Sequence, residues 1–456
     1  MILDSESRAE GVFVVSLGCA KNLVDSEQML GALDAAGYRP VPDLDEAGTV
    51  VVNTCGFIQG AVEEAVDTIL EMVERKTRGA LKRVFVVGCF VQRYGYKLRR
   101  EIPEVDGWAG TGDACRILEL LEAGPPDPPP FLIGRPVFPT GQTGPRLISG
   151  PGFSTYLKIS DGCSHRCSFC MIPSLRGPLR SRSMHSLLEE AKMLAGRGVK
   201  ELNLVAQDTT AYGRDLQDGN RLEHLLEGLL EISGPEWVRI LYAHPAGITD
   251  RLLRLVASEE RICSYLDIPF QHVAPGILRA MGRGGEPEES PSSLLNRIRS
   301  RSRKISIRTT LMVGFPGETE ADFEELCAFV ASADLDHMGA FAFSPEKGVP
   351  ASRLPDPVPG DVKERRLDRL MAIQAEVSLQ RRRSLVGGVE PVLVEGLCPE
   401  TDLLLVGRTE AMAPDVDGRV LINRGQAEAG LIVPVRITEA HPYDIVGEVE
   451  GVDGDA

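Results

Sequence analysis

Residues 156–182 read YLKISDGCSHRCSFCMIPSLRGPLRSR. A short apolar run (Thr155–Ser160) reads as a strand, and a glycine then releases the chain into a loop bearing Cys163, Cys167 and Cys170. Three thiols fall within eight residues, a concentration that ten cysteines spread over 456 positions would not reach as buried filler. Structural zinc recruits paired C-x2–4-C hooks, so a tetrahedral site here needs a fourth ligand, for which His165 is the one nearby candidate. A cubane iron–sulfur cluster ordinarily takes four thiolates, and three leave one iron open to an outside ligand. A molecule bound at such an iron can receive an electron directly, with the protein supplying position and field.

Outward from this loop the chain repeats strand then helix about six times. Strand candidates are Thr155–Ser160, Glu201–Val205, Val238–Tyr242, Cys263–Ile268, Ile305–Val313 and Met338–Phe343, with helical patterns such as HSLLEEAKMLAG and TEADFEELCAFVA between them. In the latter, Thr319 and Asp322 predict a capping box. Six such units predict a partial (β/α)6 barrel, whose active face lies at the carboxyl ends of its strands, where the three-cysteine loop begins. A long charged helix over Gly360–Arg383 closes the segment.

Upstream, VFVVS (Val12–Ser16), TVVVN (Thr49–Asn53) and RVFVVG (Arg83–Gly88) read as strands buried on both faces, with helices expected from near Asp25 or Ser26 and over Ala61–Arg75. This predicts an open α/β sheet. One cysteine follows each strand (Cys19, Cys55, Cys89), and in such a sheet the carboxyl ends share one ligand-binding edge. Ligands gathered in space are the favoured reading, with three unrelated core cysteines the alternative. The stretch Glu122–Gly152 is dense in Pro and Gly and reads as a semi-rigid connection. After Arg383 short strands divided by Gly, Pro and Asp predict a small all-β barrel. The expected layout is an α/β domain over residues 10–125, a linker over 126–148, the partial barrel over 149–383 and the β-barrel over 384–452.

The amino terminus MILDSESRAEG is polar and acidic, and no apolar run reaches membrane-spanning length. A cytoplasmic protein with no membrane association is expected, where reduced thiols make disulfides a poor explanation of the cysteines. The net charge of −16 argues against a surface that grips phosphate backbones throughout.

The loop, together with SLGCAKNLVDSEQM, VKELNLVAQDTTAYG, DIPFQH and VGFPGETEADFEE in that family's order, resembles the radical S-adenosylmethionine methylthiotransferases from about Val12 to Val449. The resemblance implies a radical-SAM TIM-like barrel followed by an OB-like TRAM barrel. It implies two [4Fe–4S] clusters, one on Cys163, Cys167 and Cys170 whose open iron binds S-adenosyl-L-methionine, and an auxiliary one on Cys19, Cys55 and Cys89 that handles the inserted sulfur. S-adenosylmethionine would be both radical source and methyl donor, the clusters facing each other across one cavity. By the same resemblance Phe169 lies near the adenine, Gly314, Pro316, Gly317 and Glu318 contact S-adenosylmethionine, and Gln207 and Asp208 orient ribose or substrate. Gln271 and His272 end a strand, where a histidine is as readily scaffold as proton carrier. Cys115, Cys263, Cys327 and Cys398 read as structural.

SLGCAKNLVDSE and the closing YDIVGEV resemble the branch that modifies the β-carbon of an aspartate in ribosomal protein S12; the tRNA-adenosine branch reads more like YGCQMN at the first point. From Ser384 to Ala456 there are four arginines, no lysine and fourteen acidic residues, a net of −10. Such a surface repels a phosphate backbone and complements a basic protein. S12, alone or within the small ribosomal subunit, is the expected partner, with an external electron donor and an unnamed sulfur donor. The alternatives are tRNA methylthiolation and a non-catalytic iron–sulfur ribosome-binding or assembly factor. The stretch Met281–Ile305 departs from the family in its Gly, Pro and Ser content, leaving contacts near Arg283 open.

Overall fold

The computed structural model of the chain describes residues 11–123, 128–136, 144–283, 289–302 and 304–451. Parts of the assigned linker and of the 281–305 stretch lie outside the described residues, as do residue 10 and residues 124, 125 and 452.

The first domain is an open, wholly parallel sheet. Its strands β1 (Gly11–Ser16), β2 (Arg39–Pro40), β3 (Ala47–Thr54), β4 (Arg83–Gly88), β5 (Gly107–Ala109) and β6 (Phe131–Leu132) lie in the order 2-1-3-4-5-6. Helices α1 (Ala20–Ala35), α2 (Gln59–Thr77), α3 (Cys89–Tyr94), α4 (Lys97–Glu101) and α5 (Ile117–Glu122) complete it. Successive strand residues point to opposite faces. Val50, Val52, Val84 and Val86 therefore pack with Val62 and Ile69 of α2, while Val51, Phe85 and Val87 pack with Leu33 of α1 and Leu120 of α5. That double cover is why the centres of these strands are apolar at every position.

Helix α1 starts at Ala20, directly after Cys19, and not near Asp25 or Ser26. The two cap-type side chains face inward: Asp25 pairs with Lys158, and the Ser26 hydroxyl donates to Ser16 Oγ at 2.9 Å. Their polarity serves contacts between elements and leaves the helix start to its neighbours. The Pro-flanked pair Phe131–Leu132 joins β5 as an edge strand, a position that tolerates proline.

The second domain holds β7 (Ser154–Lys158), β8 (Ser160–Asp161), α6 (Ile172–Arg176), β9 (Arg180–Ser181), α7 (Met184–Gly196), β10 (Glu201–Val205), α8 (Leu222–Leu230) and β11 (Trp237–Ile240). It continues with α9 (Asp250–Ser258), β12 (Tyr265–Asp267), α10 (Pro275–Ala280), α11 (Pro291–Arg301), β13 (Ser306–Val313), α12 (Glu320–Ser332), β14 (His337–Ala342) and α13 (Gly360–Arg383). Two parallel three-stranded sheets, 7-10-11 and 12-13-14, are joined by a Val238–Ile262 bridge and an Ala243 N–H to Asp267 carbonyl bond of 2.8 Å. Six βα units thus form the expected arc. Leu157, Leu202, Leu204, Ile240, Leu266 and Ile307 pack outward on the helices. The alternate positions, among them Glu201, Arg239, Tyr265 and Arg308, face the concave side. Thr319 and Asp322 form the expected capping box on α12.

The last domain is a closed barrel of β15 (Val389–Cys398), β16 (Thr401–Thr409), β17 (Val420–Arg424), β18 (Ile432–Ala440) and β19 (Ile445–Val449), ordered 15-16-17-19-18. Its β16–β17 connection enters the concave side of the arc. Arg408 and Arg239 both grip Glu201, and Asp417 receives Arg308 at 2.8 Å and the Tyr265 hydroxyl at 2.8 Å. Some of this domain's acidic excess is therefore answered within the chain.

Candidate active site between two cysteine trios

Strand order reverses between β1 and β3, the position where open α/β sheets bind ligands. Cys19 and Cys55 leave the sheet on either side of it. Gly18 holds φ +87°, and a Cβ there would lie 2.6 Å from Cys55 Cβ and 3.1 Å from its Sγ. A Cβ on Gly56 would lie 2.9 Å from the Phe90 backbone, next to Cys89. Only glycines let the three loops approach this closely. Asn22 donates to the carbonyls of Leu17 at 3.0 Å and Thr54 at 3.1 Å, fixing the first two loops together. Burial pushes the Cys55 thiol up, and the Cys89 thiol up to about 11. Burial acts upward on Cys19 too, but the Lys21 and Arg176 charges outweigh it and hold that thiol below its ordinary value.

The second trio stands at the mouth of the arc. Gly162 holds φ +74°, where a Cβ would lie 2.1 Å from the Pro178 carbonyl, and the Cys163 N–H donates to Gly177 at 3.0 Å. Ser168 N–H donates to Met281 at 2.9 Å and Cys170 N–H to Cys167 at 3.2 Å. Cys163, Cys167 and Cys170 are half-buried. Burial raises the Cys163 thiol, and takes the Cys170 thiol up to about 12.

One apolar cluster reaches from Cys89 of the first trio to the residues that neighbour Cys170 of the second. Cys89 belongs to it with Met171, Leu175, Met281, Met312 and Phe315, while Phe57 and Phe169 pack against it. Charged groups tie the same edges together. Arg176, four per cent exposed, donates to Asp161 at 2.8 Å, to Asp25 at 3.1 Å and to Asn22. Arg93 of α3 pairs with Glu346 at 2.7 Å, and Arg146 with Glu27 at 2.6 Å and Glu190 at 2.8 Å, all buried. The Lys21 ammonium lies 3.7 Å from the Tyr242 ring centroid.

The other expected site residues follow the carboxyl ends of barrel strands. Gln207 Nε2 donates to Asp161 at 2.9 Å while its Oε1 is buried without a partner, as is Gln271 Oε1. Asp208 accepts from His165 at 2.6 Å and from Thr210 at 2.6 Å, and the His165 ring stacks on His244 at 4.0 Å. Burial works upward on Asp208, yet those two hydrogen bonds hold its carboxyl below the ordinary range; burial takes His244 down to about 3. Among the described residues, His165, Asp208 and His244 form the one group whose ligand atoms all lie within 4.8 Å of one another. Glu318 folds onto its own loop, accepting from Gly314 N–H, from Phe315 N–H at 3.1 Å and from Arg366 at 2.9 Å. Gly314 at φ +71° lets Lys363 cross it, Pro316 is buried and Gly317 is exposed. His272 Nδ1 accepts from Ala274 N–H at 3.0 Å, the scaffold role open to it from sequence. Cys263, Cys327 and Cys398 are buried, whereas Cys115 is exposed. Arg176, Lys21, Tyr242 and His244 escaped the sequence reading; of these Lys21, inside the GCAKN motif, and Arg176, inside the quoted 156–182 stretch, stood where a local signal existed.

Residues 11–110 match the uncharacterized protein family UPF0004, residues 157–330 the radical SAM superfamily and residues 386–449 the TRAM domain. A solved structure of similar fold is the radical S-adenosylmethionine methyltransferase TsrM from Kitasatospora setae, with a TM-score of 0.54 and 16% identity over 73% of this chain and 72% of that one. Fold and site together define a radical SAM protein. The ribosomal protein uS12 methylthiotransferase RimO of Syntrophotalea carbinolica is 49% identical over 96% of each chain, and that of Pelobacter propionicus 49% identical over 96% of this chain and 98% of its own. The chain belongs to the RimO family. Iron–sulfur and S-adenosylmethionine use come with that membership. Among the described residues no helix is long and apolar enough to cross a membrane.

Proposed function

We propose that this protein methylthiolates the β-carbon of an aspartate in ribosomal protein S12, acting in the cytoplasm on S12 alone or within the small subunit. The observation that carries the reading is one apolar cluster shared by Cys89 and by Phe169 and Met171 on either side of Cys170, with Arg176 bridging Asp25 after Cys19 and Asp161 before Cys163. Cys163, Cys167 and Cys170 would hold one [4Fe–4S] cluster and Cys19, Cys55 and Cys89 the other. The donor sets fit: each trio offers three thiols, and neither is drawn to the sulfur spacing of about 3.8 Å that one tetrahedral zinc imposes. Buried Gln207 Oε1 and Gln271 Oε1, both without partners, fit a polar ligand such as S-adenosylmethionine at the barrel mouth.

Bound there, clusters and S-adenosylmethionine supply one-electron cleavage and sulfur transfer. The chain's own residues orient and exclude. Phe169, Met171 and Phe315 pack around Cys89 and would keep water from it. Asp161 aligns Gln207, while Glu318 holds the Gly314–Gly317 turn against the mouth. The acidic outer face of the TRAM barrel complements a basic ribosomal protein.

Reconstituted protein incubated anaerobically with S12, with small subunits and with tRNA, followed by mass spectrometry of each, tests the proposal. A methylthio mass increment on an S12 aspartate is expected; modification of tRNA alone would reverse the substrate assignment. Failure of the loaded protein to cleave S-adenosylmethionine would favour a binding factor.

A further inference from the structure

Lys21 is a buried cation that, among the described residues, makes no ion pair with a carboxylate. It lies in the first turn of α1, two residues past Cys19, and is 9% exposed. The neighbouring Arg176, by contrast, is paired with Asp25 and Asp161. Among the described residues no carboxylate oxygen comes within ion-pair distance of Lys21; its charge acts on the Cys19 thiol and, from farther off, on Asp267, and the face of Tyr242 lies 3.7 Å away. A cation–π contact offsets only part of the desolvation of an ammonium.

Tyr242 is itself held in an unfavourable backbone conformation, φ +57°, at the carboxyl end of β11. Its N–H donates to Asp267 at 3.1 Å and its carbonyl accepts from Thr209 at 3.0 Å, so the backbone beneath the ring is pinned. Strain of this kind collects where a site is organised before its ligand arrives. An ammonium with no carboxylate in ion-pair contact, over a pinned ring and beside Cys19, is a site for an anion.

We propose that Lys21 binds the side-chain carboxylate of the aspartate to be modified, an assignment that rests on the S12 reading above. That carboxylate is bonded to the reacting β-carbon, so gripping it fixes the β-carbon one bond away, between the trios. A neutral amide offers no charge to the ammonium, and an adenosine offers no anion at its reacting carbon. The same lysine therefore selects acid over amide and protein over nucleoside.

The test compares wild type, K21M and K21R, each loaded with its clusters, on S12 and on S12 whose target aspartate is replaced by asparagine. Methionine keeps the apolar stem over Tyr242 and removes the charge. Wild type is expected to favour aspartate by about 100-fold in kcat/KM, K21M to lose most of that preference, mainly through KM on the aspartate form, and K21R to recover part of it. Iron content and the visible spectrum of K21M should match wild type. An undiminished aspartate preference in K21M would overturn the proposal while leaving S12 methylthiolation intact. Iron loss in K21M would assign Lys21 to cluster support and overturn it as well. Wild type that leaves S12 untouched would overturn the substrate reading and the role of Lys21 with it.

Discussion

Arg176 donates to Asp161 at 2.8 Å, joining the helix that follows Cys170 to the residue two before Cys163. The same guanidinium reaches Asn22 and Asp25 on the helix that follows Cys19, and its charge bears on Cys19 and Cys89. One side chain thus sets how the edge of the open sheet meets the mouth of the arc.

Replacing Arg176 by alanine leaves Asp161 and Asp25 with less compensation in a buried place, a change that costs about 3–5 kcal/mol. R176A is expected to unfold at lower urea than wild type. R176K keeps the charge but loses the fork that spans three partners, and should fall between the two. Denaturation of the apoprotein followed by circular dichroism checks the order; equal midpoints for R176A and wild type would refute the bridging role.

Glu201 is fully buried between Arg239 and Arg408, with oxygens 2.9 Å and 2.7 Å from them. E201Q removes the charge that both guanidiniums answer, and a loss of about 3–5 kcal/mol is expected at the junction of arc and C-terminal barrel. Trp237 begins β11 beside this triad, while the other tryptophan, Trp108, lies in the N-terminal sheet. In a W108F background the Trp237 emission should shift at lower urea in E201Q; an unchanged transition would contradict the account.

His272 is fully buried, and that burial takes its pKa down to about 4. The unfolded chain, with an ordinary value near 6.5, therefore takes up a proton first as pH falls. The stabilising contribution is whole above about pH 6.5 and is lost as pH drops toward 4. Between pH 7 and pH 5 it amounts to about 2 kcal/mol. H272Q should flatten the dependence of the urea midpoint on pH over that interval; an unaltered slope would show that His272 is not neutral in the folded protein.

Valine runs announced the parallel sheet because cover on both faces forces apolar residues at every position. Cys19, Cys55 and Cys89 were legible as a set because each follows such a run, and a parallel sheet brings those ends to one edge. The six βα units showed through the same alternation, and the capping box at Thr319 through its spacing. Ion pairs such as Arg146 with Glu27, or Arg176 with Asp25, left no trace because their partners are more than a hundred residues apart and follow no local period. The entry of the 410–417 connection into the arc was hidden for the same reason: its acidic residues read as surface charge, yet Asp417 accepts from Arg308 and Tyr265, and the Glu410 carboxylate from Ser264 N–H. Lys21 sat inside a quoted motif, but its lack of a partner is a fact of three dimensions.

Iron and acid-labile sulfide, counted together with electron paramagnetic resonance on anaerobically loaded protein, test the two-trio assignment most directly. Wild type should carry about eight irons in two clusters. The C163A/C167A/C170A and C19A/C55A/C89A proteins should each carry about four, with different residual spectra. Wild type with a single cluster, or a triple variant that keeps both, would contradict the assignment.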